Sequence, residues 1–362
     1  MADPRPFVIV VGAGVLGLTT AVRLQKSSRF QVALVGEVLP SDPINIRWTT
    51  GLTNSIFVHS NHQEDQWMHR VEQESFDHLW AMSEPQSDSA YCFTCYQHQE
   101  YRSLPIQPNR TLPLFASLSS AQDTQSLGIG CSFQTLCVDY EKYLAFLLQD
   151  FLMDGGQVIR GSIRHIDQVI EGGTAIFHEG TRHGRESRTP SAVIVCTGFG
   201  SRFMAGVEDR DVCPVRREAL VLKAPWITTG VSVERADMSI WIAPRNDGQV
   251  IVAGNPTFND WFPKHHTSTR TTLLPLAVEL CPDLVPLIAR DASQERRNES
   301  IRSLIVSEGC DIFDSRAGGP RLESTLRGST RLVFNYGHGA YALQRSWGCA
   351  LQVERYLTEP IR

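Results

Sequence analysis

The run Phe7-Val8-Ile9-Val10-Val11-Gly12-Ala13-Gly14-Val15-Leu16-Gly17 constrains the fold of this chain more than any other segment. An apolar stretch of strand length meets three glycines spaced G-x-G-x-x-G and passes directly into a helical pattern. Val15, Leu18, Ala21 and Val22 fall on one face of that helix. Strand, tight turn and helix in this order form the site that binds the pyrophosphate of a dinucleotide. Gly12 permits the turn and Gly14 lets the backbone amides of the Ala13-to-Leu16 loop approach the phosphates, while Gly17 lets helix and strand close. The helix N-terminus then offers free N–H groups and a positive dipole end to the anion. A second apolar run, Gln31 to Gly36, ends at Glu37, about twenty residues beyond the last glycine, where an acid can bind the adenosine ribose hydroxyls. By itself this fingerprint suits a nicotinamide or a flavin dinucleotide.

The 362 residues leave room for two domains or one large interleaved one. Hydrophobic content of 42%, charged content of 20% and a net charge of −5 describe an ordinary globular chain and give no support for nucleic-acid binding. Basic pairs such as Arg216-Arg217 and Arg296-Arg297 read as solvated surface. Nine cysteines, an odd number spread along the chain, read as reduced thiols, and Cys92-Phe93-Thr94-Cys95 lacks the second pair that a zinc site needs. We expect no metal. The polar N-terminus does not read as a signal peptide, no apolar run is long enough for a membrane span, and the C-terminus is not an S-K-L peroxisomal address. The expected location is cytoplasmic, and the reading leaves room for a homodimer.

Elements of the dinucleotide fold recur far apart. Asp139 to Gly155 reads as a helix followed by the strand Gln157–Arg160, and Ala192–Cys196 is another short strand ending at Thr197-Gly198. Arg331–Asn335 reads as a strand, and Ala342 to Leu357 as the last helix. Between these lie strand-like runs at Ala219–Lys223, Ser239–Ala243 and Val250–Ala253, the last two joined by the hairpin signal Asn246-Asp247-Gly248. A helix over Ser268–Leu280 and a strand over Ser300–Val306 follow. Region 84–130, rich in Ser, Gln and Pro, carries no clear pattern.

Four stretches together resemble the D-amino-acid oxidase family of flavoproteins. They are the fingerprint with Glu37, the Val195-Cys196-Thr197-Gly198 turn, Cys213-Pro214-Val215-Arg216 ahead of a strand, and Asn335-Tyr336-Gly337-His338-Gly339-Ala340-Tyr341-Ala342 followed by Ser346-Trp347-Gly348. The resemblance spans about residues 7 to 356. It implies an α/β fold, a Rossmann-type FAD-binding domain interleaved with an antiparallel-sheet substrate domain. The implied FAD-binding parts are residues 1–83, 135–206 and 308–362, and the substrate parts are 84–134 and 207–307. It also implies non-covalent FAD. Backbone amides of Gly339, Ala340, Tyr341, Ala342, Leu343 and Gln344, with Gly337 and His338 before them, are implied to stabilise negative charge on the reduced flavin. Helix-terminus chemistry supports that independently. Thr50, Gly51 and Leu52 match the family's flavin-contacting A-G-L, Thr197 and Gly198 its C-T-G turn, and Ile163 its adenine-holding position.

The substrate side departs from the family. The tyrosine of the family's Y-I-x-P is Trp241 here, and the carboxylate-binding arginine of its G-x-R-P-x-R falls on Phe313, with Arg316 nearby. The family's R-G-Q has become Arg216-Arg217-Glu218. Two polar anchors are thereby replaced by aromatic ones, which points to a bulky or modified amino compound, such as a natural-product intermediate. Trp241, Phe313 and Tyr341 are the expected pocket wall. The implied reaction passes hydride from the substrate carbon to flavin N5, gives an imine, and returns the electrons to O2 as H2O2, with no general base required. A true D-amino-acid oxidase with Arg316 as the carboxylate clamp is the alternative reading, and a flavin-binding protein without redox chemistry is a third.

Overall fold

The computed structural model describes residues 4–40, 42–43, 66–103, 112–118, 129–177, 188–235 and 238–360. Two sheets organise the chain. The first has six strands in the order β13-β14-β7-β1-β2-β6: β1 Phe7–Val11, β2 Gln31–Gly36, β6 Gln157–Arg160, β7 Ala192–Val195, β13 Arg321–Arg327 and β14 Thr330–Tyr336. All neighbours are parallel except the edge pair β13·β14. The chain leaves β1 toward β2 and β6 on one side and reaches β7 and β14 on the other. The strand order thus reverses beside β1, and ligands bind doubly wound sheets at that point.

Every residue of β1 is buried, as expected of a parallel strand covered on both faces. Val8 and Val10 join a core built with α1 Val15–Lys26, α3 Tyr140–Met153 and α8 Ala342–Thr358, while Phe7, Ile9 and Val11 pack on the opposite side with Ile166, Val169 and Phe199. Asp139 caps α3 by accepting from the Lys142 N–H at 3.3 Å. A further helix, α2 Gln66–Met82, packs on α8. The contact is so close that a Cβ on Gly348 would lie 2.1 Å from the Val71 carbonyl oxygen.

The second sheet has eight strands in the order β12-β8-β11-β10-β9-β3-β5-β4. They are β3 Phe93–Arg102, β4 Ala116–Leu118, β5 Ile129–Val138, β8 Val212–Lys223, β9 Thr229–Glu234, β10 Ser239–Pro244, β11 Gln249–Phe258 and β12 Ile305–Arg316. Its pairs are antiparallel except β3·β9. Strands β3 and β4 come from the region whose sequence carries no clear pattern, and β5 begins at its end. One face buries Leu220, Leu222, Ile240, Ile242, Val250 and Val252 against α6 Thr269–Leu280. The remaining helices are short: α4 Asp167–Gly172, α5 Gly200–Phe203 and α7 Gln294–Arg302.

Two readings of local structure change. The strand expected over Ser300–Val306 is instead the end of α7 followed by β12 from Ile305. Ser293 caps α7 by accepting from Arg296 N, and a nearly all-polar nine-residue stretch stays helical with Ile301 as its buried residue. Cys213–Arg216 lies within β8 rather than ahead of it.

Candidate active site

A cavity of about 900 Å³ opens at the C-terminal ends of β1, β2 and β7. The first wall is the glycine turn. Gly12 has φ +108°, and a Cβ there would sit 2.2 Å from the Cys196 carbonyl oxygen. A Cβ on Gly17 would come within 1.8 Å of Gly12 O. These two glycines let β1, β7 and α1 close on one another. Gly14 is different: a Cβ there would meet nothing within 4 Å, because it faces the cavity. Gly14 is also the N-cap of α1, with no side chain capping the helix and no acid in its first turn. A side chain at Gly14 would fill the room that a phosphate needs, and the uncapped first turn supplies donors and dipole for it. The cradle therefore fits a dinucleotide pyrophosphate.

Ala13, Gly14, Val15 and Leu16 line this cavity together with Glu37 at the end of β2 and Ile163 in the loop after β6. Thr197 and Gly198 line it from the turn after β7, where Thr197 Oγ1 and Ser201 Oγ are 2.7 Å apart. Phe313, Asp314, Gly339 and Ala342 close the far end. Gly337 and Gly339 have φ of +79° and +59°, the left-handed region that glycine adopts most readily. The Gly337 N–H donates to Asp314 Oδ2 at 2.8 Å. Burial raises the Asp314 carboxyl to about 6, against the lowering effect of that bond. Thr50, Gly51 and Leu52 lie outside the described residues.

Gly337, His338, Ala340, Tyr341, Leu343 and Gln344 are not on the cavity wall itself. His338 is buried, its Nε2 lies 3.0 Å from Asn335 Oδ1, and burial, reinforced by Arg345, lowers its imidazole to about 3. The ring is therefore neutral and engaged within the fold. Tyr341 precedes α8, with the Arg345 guanidinium 4.8 Å from its ring centroid. Gly348 donates its N–H to Ser75 at 2.8 Å, and Trp347 donates its indole N–H to Tyr143 at 2.8 Å. The Ser346-Trp347-Gly348 stretch thus joins helices.

Arg316 is not brought to the cavity. Its Nε donates to Asp209 at 2.9 Å and its Nη2 to Asp211 at 3.1 Å, beside a separate surface depression. Trp241 is buried in the second sheet, in the face opposite the aliphatic one. Cross-strand register explains what surrounds it. Trp241 faces Ser232 and Ala253, Ala253 faces Ala219, Ser232 faces Glu100, Arg217 faces Asp311 and Val215 faces Phe313. Because side chains alternate with period two, these residues share one face, and Phe313 carries that face into the cavity.

This polar face was not legible as a site. Arg216-Arg217, read as solvated surface, is buried: the exposures are 2% and 6%. Arg216 is tied to the carbonyls of Phe262 and Lys264 and to Glu218. Arg217 lies instead over the Trp241 ring, with Cζ 4.0 Å from the centroid. Burial pushes its guanidinium below the usual arginine range, opposed by the charges of Tyr341, Glu234 and Asp311. Glu100 and Arg102, also absent from the sequence reading, pair at 2.6 Å, and His98 Nε2 lies 2.8 Å from Ser232 Oγ. The altered R-G-Q was the available signal, since it puts an arginine where the family has glycine.

The cysteines are all free thiols, Cys92 and Cys95 included. Among the described residues no cluster of His, Cys, Asp and Glu could hold a metal ion, and no helix is long and apolar enough to cross a membrane.

Comparison with known proteins gives the family and the fold. A profile described as FAD dependent oxidoreductase matches residues 8–355, and the chain belongs to that family. Among similar proteins is a D-aspartate oxidase of Cryptococcus neoformans var. grubii, 26% identical, with 96% of this chain and 95% of that protein covered. Among solved structures, glycine oxidase from Geobacillus kaustophilus has a TM-score of 0.66 at 15% identity, covering 98% of this chain and 96% of that one. L-proline dehydrogenase from P. horikoshii has a TM-score of 0.70 at 12% identity, covering 99% and 94%. The protein is an FAD-dependent oxidoreductase.

Proposed function

We propose that this chain is an oxidase that converts an amino compound to an imine and reduces O2 to H2O2. Bound FAD supplies the hydride acceptor and the path of the electrons to oxygen. The continuity of the cavity carries this reading: it runs from the Gly12–Leu16 cradle to Phe313 and Gly339. Phe313, which lines the cavity there, also belongs to the buried polar face of the second sheet. Residues of that face would hold the substrate carbon toward the cavity and exclude water. Phe313 lines the cavity, and this proposal adds Trp241 and Tyr341 as the wall of the substrate space beyond it, which favours a substrate with a sizeable apolar body. The backbone at Gly339 to Gln344, opening α8, would favour negative charge near the cavity's far end.

The engagement of Arg316 by Asp209 and Asp211 weighs against its acting as a carboxylate clamp. Oxygen uptake and peroxide release with a panel of amines and amino acids test the proposal. At least one amino compound should consume O2 and give equimolar peroxide. Flavin-loaded protein inert toward the whole panel would favour a non-redox role, and substrate oxidation without peroxide would make the enzyme a dehydrogenase.

A further inference from the structure

Arg217 is a buried side chain with two guanidinium nitrogens, Nε and Nη1, left without a hydrogen-bond partner among the described residues. Other arginines of the region differ. Arg102 donates to Glu100 at 2.8 and 2.6 Å, and Arg345 donates to Glu72 at 2.9 Å. Arg216 points to the opposite side of β8 and is held by carbonyls and Glu218. Asp311 faces Arg217 across the β8·β12 pair without forming a hydrogen bond to those nitrogens.

What positions Arg217 is the Trp241 ring beneath it. A guanidinium lying over an aromatic face keeps its edge N–H groups available, and a carboxylate oxygen can accept from Nε–H or from Nη1–H, which lie on different edges of the group. Two residues along the same face of β8, Val215 stands opposite Phe313, which lines the cavity. The unpaired donors therefore lie one cross-strand pair from the cavity's far end, in the region where the substrate would sit.

We propose that Arg217, seated on Trp241, binds a carboxylate of the substrate. This assignment rests on the oxidase reading above and adds a substrate class: an amino acid with a free carboxylate and an apolar body. The anion site lost at Phe313 is supplied from the neighbouring strand by the residue that replaces a glycine. Trp241 is then the support of the clamp as well as pocket wall.

The test titrates FAD-loaded protein with benzoate and with benzamide, by calorimetry and by perturbation of the visible flavin band. Wild type should bind benzoate and discriminate strongly against benzamide. Arg217→Met should keep its flavin and weaken benzoate binding by about 30-fold or more, the lower range for removing one partner of a buried charge pair. Arg217→Lys, a point charge without the planar donors that rest on Trp241, should fall between. Benzoate affinity in Arg217→Met within threefold of wild type, or no preference for benzoate over benzamide in wild type, overturns the proposal. If Arg217→Met does not fold or loses flavin, Arg217→Lys decides: unchanged benzoate affinity overturns it. These readouts need no turnover. Arg217-dependent benzoate binding with no amine oxidised would sink the oxidase reading alone, and amine oxidation indifferent to Arg217→Met and to the carboxylate would sink the clamp alone.

Discussion

At the scale of single residues, the three fingerprint glycines separate into two jobs. Gly12 and Gly17 are required by contacts inside the fold, with added Cβ atoms at 2.2 and 1.8 Å from backbone oxygens. Gly12→Ala or Gly17→Ala should therefore lower the melting temperature even without cofactor, in the range of about 1–3 kcal/mol typical of overpacking. Gly14→Val should leave the apoprotein's melting temperature within a degree or two and abolish flavin retention, because its side chain enters the cavity. Equal loss of stability in all three would refute this division. Asp314 gives a second residue-scale expectation. Its carboxyl is raised to about 6 by burial, so between about 4 and 6 the folded state holds a proton that the unfolded chain has released. That contribution to stability is lost as pH rises through this window. Asp314→Asn, whose amide oxygen can still accept from Gly337, should be more stable than wild type at pH 8, by up to about 3 kcal/mol. The gain should shrink toward pH 4, and a gain that grows as pH falls would contradict the assignment.

Among the elements, the parallel strands and their helices were the most legible, because their signals are local. The five buried residues of β1 are contiguous, and α3 shows its stripe in Leu144, Leu147 and Phe151. The second sheet was legible where alternation is apolar, at Leu220, Leu222 and Ile240, Ile242. It was opaque where the buried face is polar. Glu100 and Arg102 lie in the region that carries no clear pattern, and they pair with each other at 2.6 Å beside β9. Arg216 is satisfied by carbonyls 46 and 48 residues away, a pairing that no local pattern announces. Sequence spacing reports a charged residue, and only tertiary structure reports its partner. The same limit applies to Ser346-Trp347-Gly348, which resembled a cofactor motif and acts in the α2·α8 contact. Gly348→Ala should consequently destabilise the protein by roughly 1–3 kcal/mol through the Val71 carbonyl. Thermal melts of the apoprotein read this directly, and a change confined to the holoprotein would show the glycine serving the cofactor instead.

For the molecule as a whole, buried polar chemistry governs the expected pH range of stability and carries the proposed function. His78, His98 and His338 are lowered to about 4, 3 and 3, each with burial as the largest cause. A neutral buried histidine contributes stability that is fully present above the unfolded value near 6.5 and is lost as pH falls toward the folded value. Melting temperature should accordingly fall steadily below about pH 6, and His98→Asn should flatten that slope. A melting temperature flat from pH 7 to 4.5 would contradict this origin of acid lability. The larger consequence is architectural. The first sheet presents an uncapped helix N-terminus at the glycine cradle, and the second presents a buried face bearing Arg217, two of whose nitrogens have no hydrogen-bond partner among the described residues. Phe313 carries that face to the far end of the cradle, where a substrate could meet a flavin away from water. The most direct measurement is anaerobic titration of the purified yellow protein with amino acids, followed in the visible spectrum. The account predicts loss of the oxidised flavin band at one equivalent of a suitable amino acid. On admitting air the band should recover, with one equivalent of peroxide. A flavin band that no amino compound bleaches would contradict it.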